Sequence, residues 1–78
     1  MLDLKQILTD IAKAIVDEPD SVTVAEEDNG SSVVLTLSVA GPDMGKVIGR
    51  NGRIAKAIRT VMKAAANADG KKVTVEIR

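Results

Sequence analysis

Asn29–Gly30 stands between two runs that alternate apolar with polar residues, SVTVAEE (21–27) and SSVVLTLSVAG (31–41). Such a dipeptide is the strongest short-range hairpin signal, because glycine supplies the positive φ that a tight turn between twisted strands needs. Val22 and Val24 share one face of the first run, and Val33, Leu35, Leu37 and Val39 share one face of the second. The two runs are therefore expected to pair antiparallel. A third alternating run, KVTVEI (72–77), puts Val73, Val75 and Ile77 on one face. It follows a long segment of different period, so it is expected to join the second strand in parallel through a right-handed crossover.

The remaining segments carry the helical period. Leu4, Ile7, Leu8, Ile11, Ala14 and Ile15 predict an amphipathic helix over 3–17, stopped by DEPD at Pro19. GPDMGKVIG (41–49) opens on Pro42 and Asp43, both suited to a first helical turn, and predicts a short helix ending near Gly49. RIAKAIRTVMKAAANA (53–68) places Ile54, Ala57, Ile58, Val61, Met62 and Ala65 on one face, with Arg53, Lys56, Arg59 and Lys63 on the other. The expected order is α-β-β-α-α-β, an α+β fold in one domain spanning 1–78. Its three-stranded mixed sheet should carry three helices on one face and leave Thr23, Thr36, Thr74 and Glu76 wet on the other.

Composition removes several function classes. The 78 residues contain no cysteine, histidine, phenylalanine, tyrosine or tryptophan. Disulfides, Cys or His metal ligands and the commonest general base are thereby excluded, and the core must be aliphatic. No run approaches the ~18 apolar residues of a membrane span. MLDLKQIL lacks the basic and apolar regions of an export signal, so a cytoplasmic location is expected. Glu26–Glu27–Asp28 lacks the spacing of a calcium loop, and Asp17–Glu18–Pro19–Asp20 reads as a helix stop, not a carboxylate pair. No nucleophile and base are paired, so no enzyme and no cofactor are expected.

The chain is neutral overall, with eleven basic and eleven acidic residues, yet the charges are segregated. Residues 1–43 hold nine acids against two lysines, and residues 44–78 hold nine bases against two acids. Either the basic half meets a polyanion, or the two halves attract each other or a sister chain. Gly49–Arg50–Asn51–Gly52 interrupts an otherwise good helical stretch, and it also has two readings. One glycine would suffice for a plain turn between helices. Two, flanking Arg–Asn with Lys46 and Arg53 nearby, would also let a phosphate backbone approach peptide N–H groups at a helix N-terminus. Nucleotide-binding glycine motifs do not match in spacing or position.

VIGRNGRI (Val47–Ile54) resembles the K-homology (KH) signature I-G-x-x-G-x-x-I, with Ile54 read as its closing apolar residue. The predicted element order is that of the type II, prokaryotic form, and the likeness runs from the first helix to the last strand. MGKVIGRNGRIAKAIRTVMKAAA is further similar to the KhpA family of small, single-domain bacterial RNA-binding proteins. The resemblance implies single-stranded RNA as partner. Gly49, Arg50, Asn51 and Gly52 would meet the sugar-phosphate backbone, with Lys46, Arg53 and Lys56 lining the basic side of a cleft. Ile48 and Ile58 would face bases or core, with core favoured for Ile58. The loop from Asn67 to Lys72 would form the far wall with Lys71 and Lys72 at its rim, and bases would be read along Val73 to Val75. The resemblance also implies a homodimer, a larger KhpB (Jag)-type RNA-binding partner, and RNA-chaperone work tied to cell shape and cell-wall homeostasis. The rival reading is a protein-interaction adaptor with little RNA affinity. Ala57, Ala64, Ala65 and Ala66 permit close helix approach, although alanines also simply favour helix in a thin core.

Overall fold

Asp3 opens the first helix, α1 (Leu4–Ile15), by accepting the Gln6 N–H on its side chain at 3.1 Å. The computed structural model describes residues 3–78; Met1 and Leu2, at the head of MLDLKQIL, lie outside the described residues. Leu4, Leu8 and Ala12, one helical turn apart, are the buried stripe of α1. The helix ends before the expected residue 17. Val16 is already extended, and the N–H groups of Asp17 and Glu18 turn to the carboxylate of Asp43 at 3.2 and 3.0 Å.

Three strands follow the expected order: β1 (Thr23–Asp28), β2 (Ser32–Ser38) and, after two further helices, β3 (Lys72–Ile77). β2 lies in the centre, antiparallel to β1 with Val24 opposite Leu37, and parallel to β3 with Leu35 opposite Val75. Val24, Val33, Leu35, Leu37 and Val75 are buried under the helices. Thr23, Thr74 and Glu76 are exposed on the outer face, and Thr36 is half-buried there because its strand is central.

The hairpin forms, but its turn is one residue later than expected. Asn29 N–H donates to the Ser32 carbonyl at 2.8 Å, which centres the turn on Gly30–Ser31. Gly30 has φ +89°, and Ser31 does not share the positive φ. This is the type II′ pattern, not the type I′ pattern of a central Asn–Gly. The Asp28 carboxylate causes the shift by accepting the Gly30 N–H at 2.8 Å. That hydrogen bond, with a second contact from Lys71, holds the Asp28 carboxyl below the usual aspartate range.

A 3-10 turn at Gly41–Asp43 leads into α2 (Met44–Ile48), and a second at Arg50–Gly52 leads into α3 (Arg53–Ala68). α3 ends in a Schellman motif: Lys71 N–H reaches the Ala66 carbonyl at 2.9 Å and Gly70 N–H reaches that of Asn67 at 3.0 Å, with Gly70 at φ +69°. The buried stripe of α3 is Ala55, Ile58, Met62 and Ala66. It is rotated from the expected face. Ile54 and Val61 are 38% and 49% exposed, Ala57 is exposed, and Ala65 is half-buried. Alanines on both flanks hid the rotation, since Ala55 and Ala66 give no hydropathic contrast with Ala57 or Ala65. Small residues at the contact let helices pack close, and Leu8, Leu35, Leu37 and Met62 fill the centre with no exposed surface. Each such side chain stabilises the fold by about 1.5–3 kcal/mol. Among the described residues, no helix is long and apolar enough to cross a membrane.

Candidate nucleic-acid interface

The helix interruption is a four-residue loop in which three residues have unusual backbone conformations. Gly49 has φ 76° and ψ 174°, a region open essentially to glycine alone. Asn51 (φ 56°, ψ 27°) and Gly52 (φ 73°, ψ 15°) are left-handed. The loop closes on itself, with Gly49 N–H on the Gly45 carbonyl at 2.8 Å and Gly52 N–H on that of Gly49 at 3.2 Å. The N–H groups of Arg50 and Asn51 have no acceptor among the described residues.

The two glycines serve different ends. A Cβ on Gly49 would lie 2.3 Å from Cγ1 of Ile54 and 2.9 Å from its backbone nitrogen, so the close approach there is internal, to α3. A Cβ on Gly52 would meet nothing within 4 Å. Gly52 is thus the position where the loop leaves room for a partner. The closing apolar position of the signature, three residues beyond Gly52, is Ala55 and not Ile54; Ala55 is 3% exposed. Ile48 is half-buried and packs against the core, and Ile58 belongs to it.

The cations fall into two sets. Lys46 donates to Asp17 at 2.6 Å, which raises its pKa and keeps it charged, and Lys71 pairs with Asp28 at 3.3 Å. These two pairs are the links between the acidic and basic halves among the described residues. The side chains of Arg50, Arg53, Lys56, Lys63 and Lys72 make no hydrogen bond or ion pair among the described residues and are exposed. Mutual neutralisation of the halves is therefore confined to the two ends, and the middle of the basic face keeps its charge.

Two of these cations, Lys63 and Lys72, line a groove between α3 and β3. One depression of about 250 Å³ is lined by Arg59, Lys63, Val73, Thr74 and Val75. A second, of about 290 Å³, continues it past Asn67 to Lys71 and Lys72. Arg59 and Lys63 are the groove residues that the sequence reading left out of the site. Their signal was present, since Lys56, Arg59 and Lys63 recur at helical spacing and share one stripe. β3 is an edge strand, so it brings unpaired backbone groups to this groove.

An α-β-β-α-α-β chain with this mixed sheet and a glycine-flanked loop between its second and third helices is a type II KH domain. The family model described as KhpA/KhpB, KH domain matches residues 5–77. The RNA-binding protein KhpA of Clostridium acetobutylicum is 60% identical over 74 residues, covering 95% of this chain and 99% of that protein. Its namesake in Treponema pallidum is 42% identical, covering 94% and 91%. The chain belongs to the KhpA/KhpB KH-domain family. In fold it is also similar to part of Era, solved in complex with MgGDPNP and nucleotides 1506–1542 of 16S ribosomal RNA. That likeness has a TM-score of 0.67 at 20% identity and covers 95% of this chain but 28% of that one.

Proposed function

We propose that this chain binds single-stranded RNA in the groove between α3 and the free edge of β3, with residues 1–78 acting as one non-enzymatic KH domain. The observation that carries the reading is the set of unpaired cations, Arg50, Arg53, Lys56, Lys63 and Lys72, beside a loop with open space at Gly52. Gly49, Arg50, Asn51 and Gly52 hold the sugar-phosphate backbone, and Arg53 and Lys56 line its basic side. Lys46, Ile48, Lys71 and Lys72 complete the site at its two ends. About four nucleotides fit such a module. Lacking aromatic stacking platforms, which add roughly 1–3 kcal/mol per base, a single copy binds weakly and with strong salt dependence.

The test is fluorescence anisotropy on labelled single-stranded RNA. Arg50→Asp with Asn51→Asp reverses charge at the loop without touching the core, since both residues are exposed. The double variant is expected to melt as the natural chain does and to bind at least about tenfold more weakly, with a flatter salt slope. Equal binding by both proteins, or no binding by either at low salt, overturns the RNA reading and favours the adaptor.

The finer reading is an RNA chaperone in post-transcriptional regulation, cytoplasmic and tied to cell shape and cell-wall homeostasis; it follows from the family resemblance alone. Action as a homodimer or with a KhpB-type partner has support on the molecule. Ile11, Ile15, Ile54, Ala57 and Val61 line an apolar groove of about 400 Å³ between α1 and α3, away from the polar groove residues. The homodimer is expected to sediment at twice the 8.2 kDa chain mass, with Val61→Asp reducing it to one chain. A single-chain mass for the natural protein at high concentration excludes the homodimer.

A further inference from the structure

The backbone pattern of β3 decides which of its groups face the groove. Lys72 N–H donates to the Ser31 carbonyl at 3.0 Å and Arg78 N–H to that of Leu37 at 2.8 Å, so even-numbered residues turn toward β2. Alternation leaves the N–H and C=O groups of Val73 and Val75 on the free edge. One of these groups is already taken. Arg59, reaching across from α3, donates its Nε–H to the Val75 carbonyl at 3.3 Å.

That contact fixes the guanidinium in the groove and leaves a specific face of it available. Arginine has five N–H donors in a planar fork and no acceptor. With Nε committed to Val75, the η nitrogens make no bond to any described residue. Lys63, which lines the same depression, is also a donor only. One lone pair of the Val75 carbonyl is taken by this bond. Beside Val75 the groove therefore presents the guanidinium's remaining donors in a plane, while Val73 keeps its own edge carbonyl.

Bases differ in how they meet such a surface. Guanine presents O6 and N7 as neighbouring acceptors, the pair to which arginine binds bidentately. Adenine presents N7 beside an N6 amine, so one of the two contacts sets donor against donor. Resting on the RNA-binding reading above, we infer that Arg59 is the base-discriminating residue of the groove, accepting guanine and disfavouring adenine at the position beside Val75.

The experiment measures binding of two labelled octamers, oligo(A) and the same strand with one central guanine, to the natural chain and to Arg59→Lys. Lysine keeps the charge and loses the fork. The natural chain is expected to prefer the guanine strand by about tenfold, within the range of a bidentate pair. Arg59→Lys is expected to bring the ratio of the two affinities to about one, whatever its effect on oligo(A) itself. A structural role for Arg59 would weaken both strands together and leave their ratio intact, which overturns the inference, as does equal binding of the two strands by the natural chain. If the natural chain binds neither strand at low salt, the RNA reading itself fails, and the inference with it. A matching melting curve for Arg59→Lys secures the comparison.

Discussion

Gly49→Ala is expected to lower the melting temperature by more than about 10 °C, the largest loss from any single methyl group added to this chain. Two penalties add. The backbone at φ 76° and ψ 174° lies where an L-residue is strained, at about 1–3 kcal/mol. The new Cβ would fall 2.3 Å from Ile54 Cγ1 and 2.9 Å from the Ile54 nitrogen, so neither a rotamer change nor a small side-chain shift relieves it. Overpacking of that kind costs about 1–3 kcal/mol more. In a domain of this size each kcal/mol moves the midpoint by roughly 4–8 °C. Two other glycines are built-in controls. Gly52→Ala meets no atom within 4 Å but keeps a left-handed φ of 73°, so it should lose about 1 kcal/mol. Gly45→Ala sits in α2 with ordinary φ and open space, and should gain about 0.5–1 kcal/mol. Thermal melts of the three variants read the order directly. A Gly49→Ala midpoint within 2–3 °C of the natural protein's, roughly half a kcal/mol, would show that the loop relaxes around the methyl.

Asp43→Ala should be the second large loss, about 2–4 kcal/mol from two backbone donors left without their acceptor. Asp43 is 1% exposed and its two carboxylate oxygens accept from Asp17 and Glu18, the first residues past α1. It stands at the start of α2, the helix that carries Lys46, Ile48 and the loop. The carboxylate therefore clasps the exit of α1 to the entry of α2, and Lys46–Asp17 closes the same joint from the surface. Asp43→Asn keeps the volume but replaces one acceptor oxygen with an NH₂ facing a donor, so it should recover less than half of the loss. Denaturant melts read the total, and amide exchange at Asp17 and Glu18 reads the clasp itself. Unchanged protection of those two amides in Asp43→Ala would show that water replaces the carboxylate without penalty.

Much of the fold and of the loop was legible along the chain. Val33, Leu35 and Leu37 alternate, Leu4, Leu8 and Ala12 recur every turn, and both patterns hold in the structure. Gly49 and Gly52 mark a break that the backbone bears out, with positive φ at both. The misreadings cluster where local pattern carries no contrast. Ala55, Ala57, Ala65 and Ala66 are equivalent on any hydropathy scale, yet Ala55 and Ala66 are buried and Ala57 is exposed. Asp28 drew the turn one residue on, to Gly30–Ser31, through a bond that an Asn–Gly signal does not encode.

Element order, strand direction, the glycine-flanked break and the segregation of charge were determined by the sequence alone. Each depends on neighbours within a turn or a strand, and that information is local. The tertiary structure decided which charges remain in use. Asp17 takes Lys46 from 29 residues away and Asp28 takes Lys71 from 43, while the side chains of Arg50, Arg53, Lys56, Lys63 and Lys72 stay unpaired among the described residues. It also decided that Asp43, which stands at the head of α2 as expected, is in addition a buried acceptor for two backbone N–H groups, and that Arg59 lies on the Val75 carbonyl. Those contacts join segments that periodicity treats as independent. Only chain closure, which brings distant groups within hydrogen-bond reach, can select among them.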